Sequence, residues 1–399
     1  MANIVQLKHL EHLEDEMLNY GTEGCMAATR FLHELTKMLG KNVSSAYMQT
    51  KWDGAPSVVC GTDPQSGMFF VGNKSVFNKT NPKICFSERD VDVLYPDQPG
   101  LNVKLKMSYR YFSKLGIKGI IQGDLMFTKE DKKLERVNGE DLITFRPNTI
   151  TYGIPVDHEL GKKVSAAQIG VVFHTSYSGS TLETSTAGGG ANVDAFNKVG
   201  DVAVIKNDTP MDQINMSASS LKNFDVQVNM IEKMCKSSGK FLDELVRNSG
   251  TTGEKKFHIA SYLKPFFNSE IKTGTITDAI GTWKNYGSFY KKKMEKEIDK
   301  VKNKTPKREL LYTGLTFFED HKNDFLNMIK LYRALQGAKD IVIKELDQLE
   351  TFRTFVLTDN GYKVTGPEGY VLHHQGDMIK IVNRLEFSYN NFTVSKQWK

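Results

Sequence analysis

No stretch of this 399-residue chain approaches the ~18 consecutive apolar residues of a membrane-spanning helix. The opening segment, MANIVQLKHLEHLEDE, carries acids where a secretion signal needs an apolar run, so a cytoplasmic protein with no membrane partner is expected. Cysteine is scarce. Cys25, Cys60, Cys85 and Cys235 have neither metal-ligand spacing nor a C-x-x-C pair, and free, mostly buried thiols are expected. There is no internal repeat. GTTGEKK (250–256) lacks the four-residue gap of a phosphate-binding P-loop and reads as a turn before a helix. Gly188-Gly189-Gly190 follows no clear strand, which makes it a surface loop. His373-His374 with Asp377 is a poor metal site, because adjacent strand residues point to opposite faces. No Ser/His/Asp triad emerges from the spacing.

Charge of one sign is also lacking in bulk. Lys and Arg number 53 against 47 Asp and Glu, a net charge of +6. This excludes a histone-like polycation and an acidic disordered tail. The imbalance is local, however. Residues 281–310 hold ten basic and four acidic side chains, so this window accounts for the whole net charge.

What is present is a chain able to build a core, with 39% hydrophobic and 10% aromatic residues. Residues 6–40 predict two helices. Leu7, Leu10, Met17 and Leu18 face one way in the first, and Gly21 can end it. Ala27, Ala28, Phe31, Leu32, Leu35 and Leu39 form the apolar face of the second. From about 44 to 208 short β-rich runs alternate with turns, interrupted by one helix near 103–115. From 209 to 350 the spacing is helical, and after 351 strand-like texture returns. The expected fold class is α+β, with mainly antiparallel sheets. The expected organisation is 1–208 (N-terminal helices and first sheet-rich part), 209–350 (helical insertion) and 351–399 (final strands).

Lys51-Trp52-Asp53-Gly54 follows a strand-like run, and alone it would be an ordinary turn. Further on, Gly123-Asp124 sits in the run GIIQGDLMF and Phe173 in GVVFHT. Glu368-Gly369-Tyr370-Val371 opens a strand that is followed closely by Met378-Ile379-Lys380. This ordered set resembles the covalent nucleotidyltransferase superfamily of ATP-dependent RNA and DNA ligases and mRNA capping enzymes. The likeness covers about half the chain, residues 45–175 and 366–387.

The resemblance implies a ligase-type, ATP-grasp-like core. Lys51 would be the nucleophile that becomes lysyl-AMP, its amine brought partly to the neutral form by a dry site and nearby cations. Asp53 would orient that lysine, and Lys380 would neutralise phosphoryl charge. Glu368, with Asp53, would hold Mg²⁺ or Mn²⁺. The nucleotide site would comprise Gln49 at the adenine edge, Gly54, Lys74 in place of an early arginine, Asp124 near the ribose, Phe173 stacked on the base, Glu368 and Lys380.

Two positions depart from the pattern. Ala55-Pro56-Ser57 follows the Asp-Gly turn. Val382 stands where the family carries a second lysine, which leaves Arg384 or Lys206 to supply that charge or leaves the site weakened. Only 19 residues follow Lys380, too few for an oligonucleotide-binding barrel, so a monomeric RNA ligase is the first expectation. A DNA ligase using the insertion as a clamp, a catalytically decayed nucleic-acid-binding protein and a partner-docking protein are the alternatives. In the basic window Lys291, Lys292, Lys293 and Lys296 are candidate phosphate contacts. Tyr286, Phe289 and Tyr290 could stack on bases, or the window could be a solvated face over a core.

Overall fold

A computed structural model describes residues 11–349, 351–358 and 361–384. Leu7 and Leu10 lie outside the described residues.

The chain begins with α1 (Glu16–Leu39), in which Gly21 takes φ +62° and interrupts the helical path. The Asp243 carboxylate then accepts a hydrogen bond from the Thr22 backbone N–H (2.8 Å), capping the second stretch from elsewhere in the chain. Next come β1 (Tyr47–Lys51), β2 (Ser57–Thr62), β3 (Phe69–Gly72), α2 (Glu88–Leu94) and α3 (Pro99–Phe112). They are followed by β4 (Ile120–Thr128), β5 (Lys133–Val137), β6 (Glu140–Phe145), β7 (Thr151–Pro155), α4 (Glu159–Ala166), β8 (Ile169–Ser178), β9 (Thr186–Ala187) and β10 (Val202–Val204). A helical run follows: α5 (Ala218–Asn248), α6 (Leu263–Thr273), α7 (Ala279–Asp299), α8 (Thr305–Asp320) and α9 (Lys322–Asp347). The last strands are β11 (Arg353–Thr358), β12 (Gly361–Val364), β13 (Gly369–His374) and β14 (Asp377–Ile381). The fold is α+β.

The strands form three sheets. One has the order β1-β13-β14; a second runs β10-β8-β4-β2-β3, with β9 on β8; the third is β12-β11-β7-β6-β5. All pairings are antiparallel except β10 on β8. The late strands therefore divide: β11 and β12 complete the third sheet, while β13 and β14 join β1.

Side-chain alternation gives the β1 sheet two different faces. Met48, Tyr370, Leu372, Ile379 and Ile381 enter the core formed with the helices. Gln49, Lys51, Val371 and Lys380 share the opposite face, as their pairing register requires.

The N-terminal helix packs against the insertion as well as against the β1 sheet, where Phe31 meets His374 at 6.3 Å. Ala28, Phe31, Leu32 and Leu35 share one core with Phe224, Val228 and Ile231 of α5 and with Tyr332 and Leu335 of α9. Cys25 and Cys235 form a disulfide across α1 and α5, with Cα atoms 5.8 Å apart. This corrects the expectation of four free thiols: side-by-side helix packing brings together two cysteines 210 residues apart. Cys60 and Cys85 are free and buried.

Charge is buried where the N-terminal turn, α6, α9 and the residues after β14 meet. Lys339 bridges both oxygens of Glu14 (2.8 and 2.7 Å). Asp15 accepts from Tyr332 (2.9 Å) and Arg384 (3.0 Å), and Arg384 also reaches Asn268.

Candidate functional site

The turn after β1 is clamped on two sides. Trp52 is buried against Tyr152 and Phe352, with ring centroids 4.8 and 4.4 Å away. Ala55 donates to the Leu125 carbonyl (2.9 Å), and Leu125 donates to Pro56 (3.0 Å). Gly54 lies so close to β4 that a Cβ there would stand 2.6 Å from the Asp124 Cβ. Glycine is thus required by close approach, and its effect is to bring the turn after Lys51 up against Asp124.

Lys51 Nζ donates to Glu368, which sits just before β13; the two side chains are 26% and 13% exposed. Asp124 and Asp53 add their negative fields. Burial depresses the Lys51 ammonium, but Glu368, Asp124 and Asp53 together outweigh it and hold the pKa above the ordinary lysine value. The lowered nucleophile pKa expected from the sequence is therefore not found in this arrangement, because Lys51 is ringed by carboxylates. Lys380 behaves in the opposite way: burial, then repulsion from Lys51, lowers its pKa. Burial lifts Glu368 to about 7, with the attraction of Lys51 outweighed.

Asp53 has a different role from the expected one. Its Oδ1 accepts from Asn148 Nδ2 (2.8 Å), and its Oδ2 accepts from the backbone N–H groups of Thr149 (2.8 Å) and Ile150 (3.0 Å). Both oxygens are engaged by the segment before β7, so Asp53 anchors the turn and is not placed to ligate a metal. Among the described residues no three His, Cys, Asp or Glu side chains cluster as a metal site. The carboxylates left for a hard cation are Glu368 and Asp124, which act on one another and on Lys51. One or two carboxylates plus phosphate oxygens is a set that suits Mg²⁺.

Phe173 also departs from its expected role. It is buried behind the second sheet against Phe112 and Phe196 (5.6 and 5.7 Å) and cannot stack on a base at the Lys51 face. The β4–β8 register shifts between Gln122 and Gly123, pairing them with Thr175 and Phe173. The residue skipped, His174, places Nε2 3.4 Å from the Asp124 carboxylate. Gln49 is buried and donates to Asn207 (3.4 Å). The glycine-rich loop approaches this end of β1: a Cβ on Gly190 would lie 3.9 Å from Gln49 Nε2. Lys74 is exposed on the turn Lys74–Phe77 after edge strand β3.

Neither candidate for the second family lysine reaches the site. Lys206 is exposed and pairs with Asp194 (2.6 Å), and Arg384 is committed to the buried network. His373 stacks on Tyr47 at 4.3 Å while His374 contacts Ser45, in keeping with opposite faces.

In the basic window Lys291, Lys292, Lys293 and Lys296 are exposed along α7. Tyr286 and Tyr290 are not available for stacking. Both are buried in the helical core, with hydroxyls donating to the carbonyls of Ile259 and Phe257. Phe289 remains half-buried.

Sequence reasoning missed Asn148, Asn207 and His174. The first two pair with residues 95 and 158 positions away, and the third depends on a bulge.

The fold is thus α+β, with a cluster of lysines and carboxylates at the meeting point of strands from distant parts of the chain. A family described as a family of unknown function, DUF6267, matches residues 3–396, and the chain belongs to it. No curated protein and no solved structure matches it. Among the described residues no helix is long and apolar enough to cross a membrane.

Proposed function

We propose that this protein is an ATP-dependent polynucleotide ligase of the covalent nucleotidyltransferase type, acting on RNA ends. The observation that carries the reading is the convergence of Lys51, Asp124 and the Glu368–Lys380 hairpin, three separate stretches of the sequence.

In the first step Lys51 Nζ attacks the α-phosphorus of ATP. A P–N bond forms, the bond from the α-phosphorus to the bridging oxygen breaks, and pyrophosphate leaves. The ammonium must first lose a proton. Glu368 is hydrogen-bonded to it and lifted to about 7, which suits it as the acceptor near neutral pH. Lys380, on the same sheet face, opposes the charge on the phosphoryl oxygens. Asp53 fixes the turn, and Gln49 stands two residues back along β1, where a base edge would lie. A divalent cation would be held by Asp124 together with phosphate oxygens, Glu368 being engaged with the Lys51 proton, and would add Lewis-acid stabilisation to the phosphates. In the reaction class, the adenylate then passes to a 5′-phosphate end, and a 3′-hydroxyl displaces AMP to seal the strand.

Labelled ATP with Mg²⁺ should leave acid-labile label on the protein. No label from any of the four nucleoside triphosphates, or label persisting in Lys51→Ala, would overturn the reading. The second reading is a catalytically decayed nucleic-acid binder. It is favoured by Val382 at the second-lysine position together with the diversion of Lys206 and Arg384. A DNA end as substrate is distinguished by supplying nicked DNA in the sealing assay.

A further inference from the structure

The basic helix α7 carries more than charge. Phe289, Lys292, Lys293 and Lys296 follow the spacing i, i+3, i+4, i+7, so the ring and three exposed lysines share one side of the helix. Beside them, between α6 and α7, lies a cavity of about 350 Å³ that is widely open to solvent. Its walls include Phe266, Ser269, Thr273, Asn285, Phe289 and Lys292. It therefore combines aromatic surface, hydroxyls, an amide and an ammonium at the rim. Glu270 also borders it, but Arg333 pairs with that carboxylate at 2.6 Å and offsets its charge.

Each group matches a part of a nucleotide. A ring face suits a base, amide and hydroxyl groups suit a base edge or ribose, and lysines suit phosphates. The Lys293 ammonium rests 5.3 Å from the Phe289 ring centroid, a contact weaker at an exposed site than base stacking. A base paired within a duplex cannot enter a cavity between two helices, whereas an unpaired one can turn out of its strand into it. We infer that the α6–α7 cavity is a binding site for one unpaired nucleotide of a single strand, with Lys292, Lys293 and Lys296 on the adjoining phosphates. The inference rests on the polynucleotide reading above and names the form of polynucleotide the insertion takes.

The test is fluorescence anisotropy on the full chain, using a short labelled single-stranded RNA, the same sequence as DNA, and a blunt duplex. Both single strands should bind more tightly than the duplex; a preference for RNA would add contacts from the 2′-hydroxyl. Phe289→Leu keeps an apolar side chain against Phe266 but removes the stacking ring, and it should weaken single-strand binding by about tenfold. Replacing Lys292, Lys293 and Lys296 together with Ala should reduce the log–log salt slope by about 2. The inference is overturned if the duplex binds as tightly as the single strands, or if Phe289→Leu, with an unchanged unfolding midpoint, binds like wild type. Labelling of Lys51 by ATP requires no polynucleotide. Normal labelling with unselective strand binding would defeat this inference alone, and absent labelling with selective binding would defeat only the ligase reading.

Discussion

Asn148 donates a 2.8 Å hydrogen bond to the Asp53 carboxylate, tying the turn that carries Lys51 to the segment before β7. Two backbone N–H groups complete the cage. Asp53→Ala would leave these buried donors unmet, and an expected loss of about 2–4 kcal/mol follows from the lost charge-assisted bonds. Urea unfolding measures it. Asn148→Ala should show a smaller loss and reduced labelling of Lys51, since the turn keeps two of its three anchors.

Glu368 gives a pH signature. Its folded pKa of about 7 lies above the ordinary 4.5, so the folded state favours the protonated form. Its contribution is fully present below pH 4.5 and is lost as pH rises towards 7. Glu368→Gln has no such titration. Across that window the wild type should lose up to about 3 kcal/mol of stability relative to Glu368→Gln. Denaturation curves of both proteins at pH 4.5 and pH 8 check the sign. Equal shifts would show that Lys51 compensates the carboxylate fully.

The buried network predicts the opposite slope. Burial opposes the Glu14 charge, but Lys339 and its neighbours overcome this and hold the pKa at about 2. The stability it contributes is present above the ordinary carboxylate pKa and is lost as pH falls from 4.5 towards 2. Lys339→Met should cost about 3 kcal/mol at neutral pH by leaving the buried Glu14 only the longer Arg384 contact, at 3.4 Å. Adding Glu14→Gln to that variant should recover most of the loss. A double-mutant cycle by chemical denaturation measures the coupling.

Cys25→Ser removes a crosslink closing a loop of about 210 residues. An expected destabilisation of about 2–5 kcal/mol follows. The unfolding midpoint of the variant should no longer respond to a dithiol reductant, whereas that of the oxidised wild type should fall towards it.

Much of this arrangement was legible in one dimension. The strand-end lysine and the Glu-Gly strand were each marked by local pattern, and the structure pairs Lys51 with Glu368. The helices α5 to α9 and the break at Gly21 followed from periodicity and glycine placement. Other features depended on contacts that local pattern does not carry. Phe173 and His174 are neighbours in sequence, and only the register shift on β4 decides which lies beside Asp124. Asp53 looked like a reacting group because its partner Asn148 is 95 residues away. The Cys25–Cys235 bond depends on helix packing. Tyr286 and Tyr290 could have been assigned to the core: they continue the buried series Trp283, Met294 and Ile298 at helical spacing.

The sheet that joins β1 to β13 and β14 has a consequence for the order of assembly. Residues 47–51 leave the ribosome more than three hundred residues before their strand partners at 369–373. Through nearly all of synthesis Lys51 lacks Glu368, and β1 has no β13 beside it. The second sheet, built entirely within residues 57–204, can form without waiting. A nascent chain stalled anywhere in the helical insertion would hold folded strands but no Lys51–Glu368 pair. Synthesis itself thus delays the Lys51–Glu368 pair until the last strands have been made.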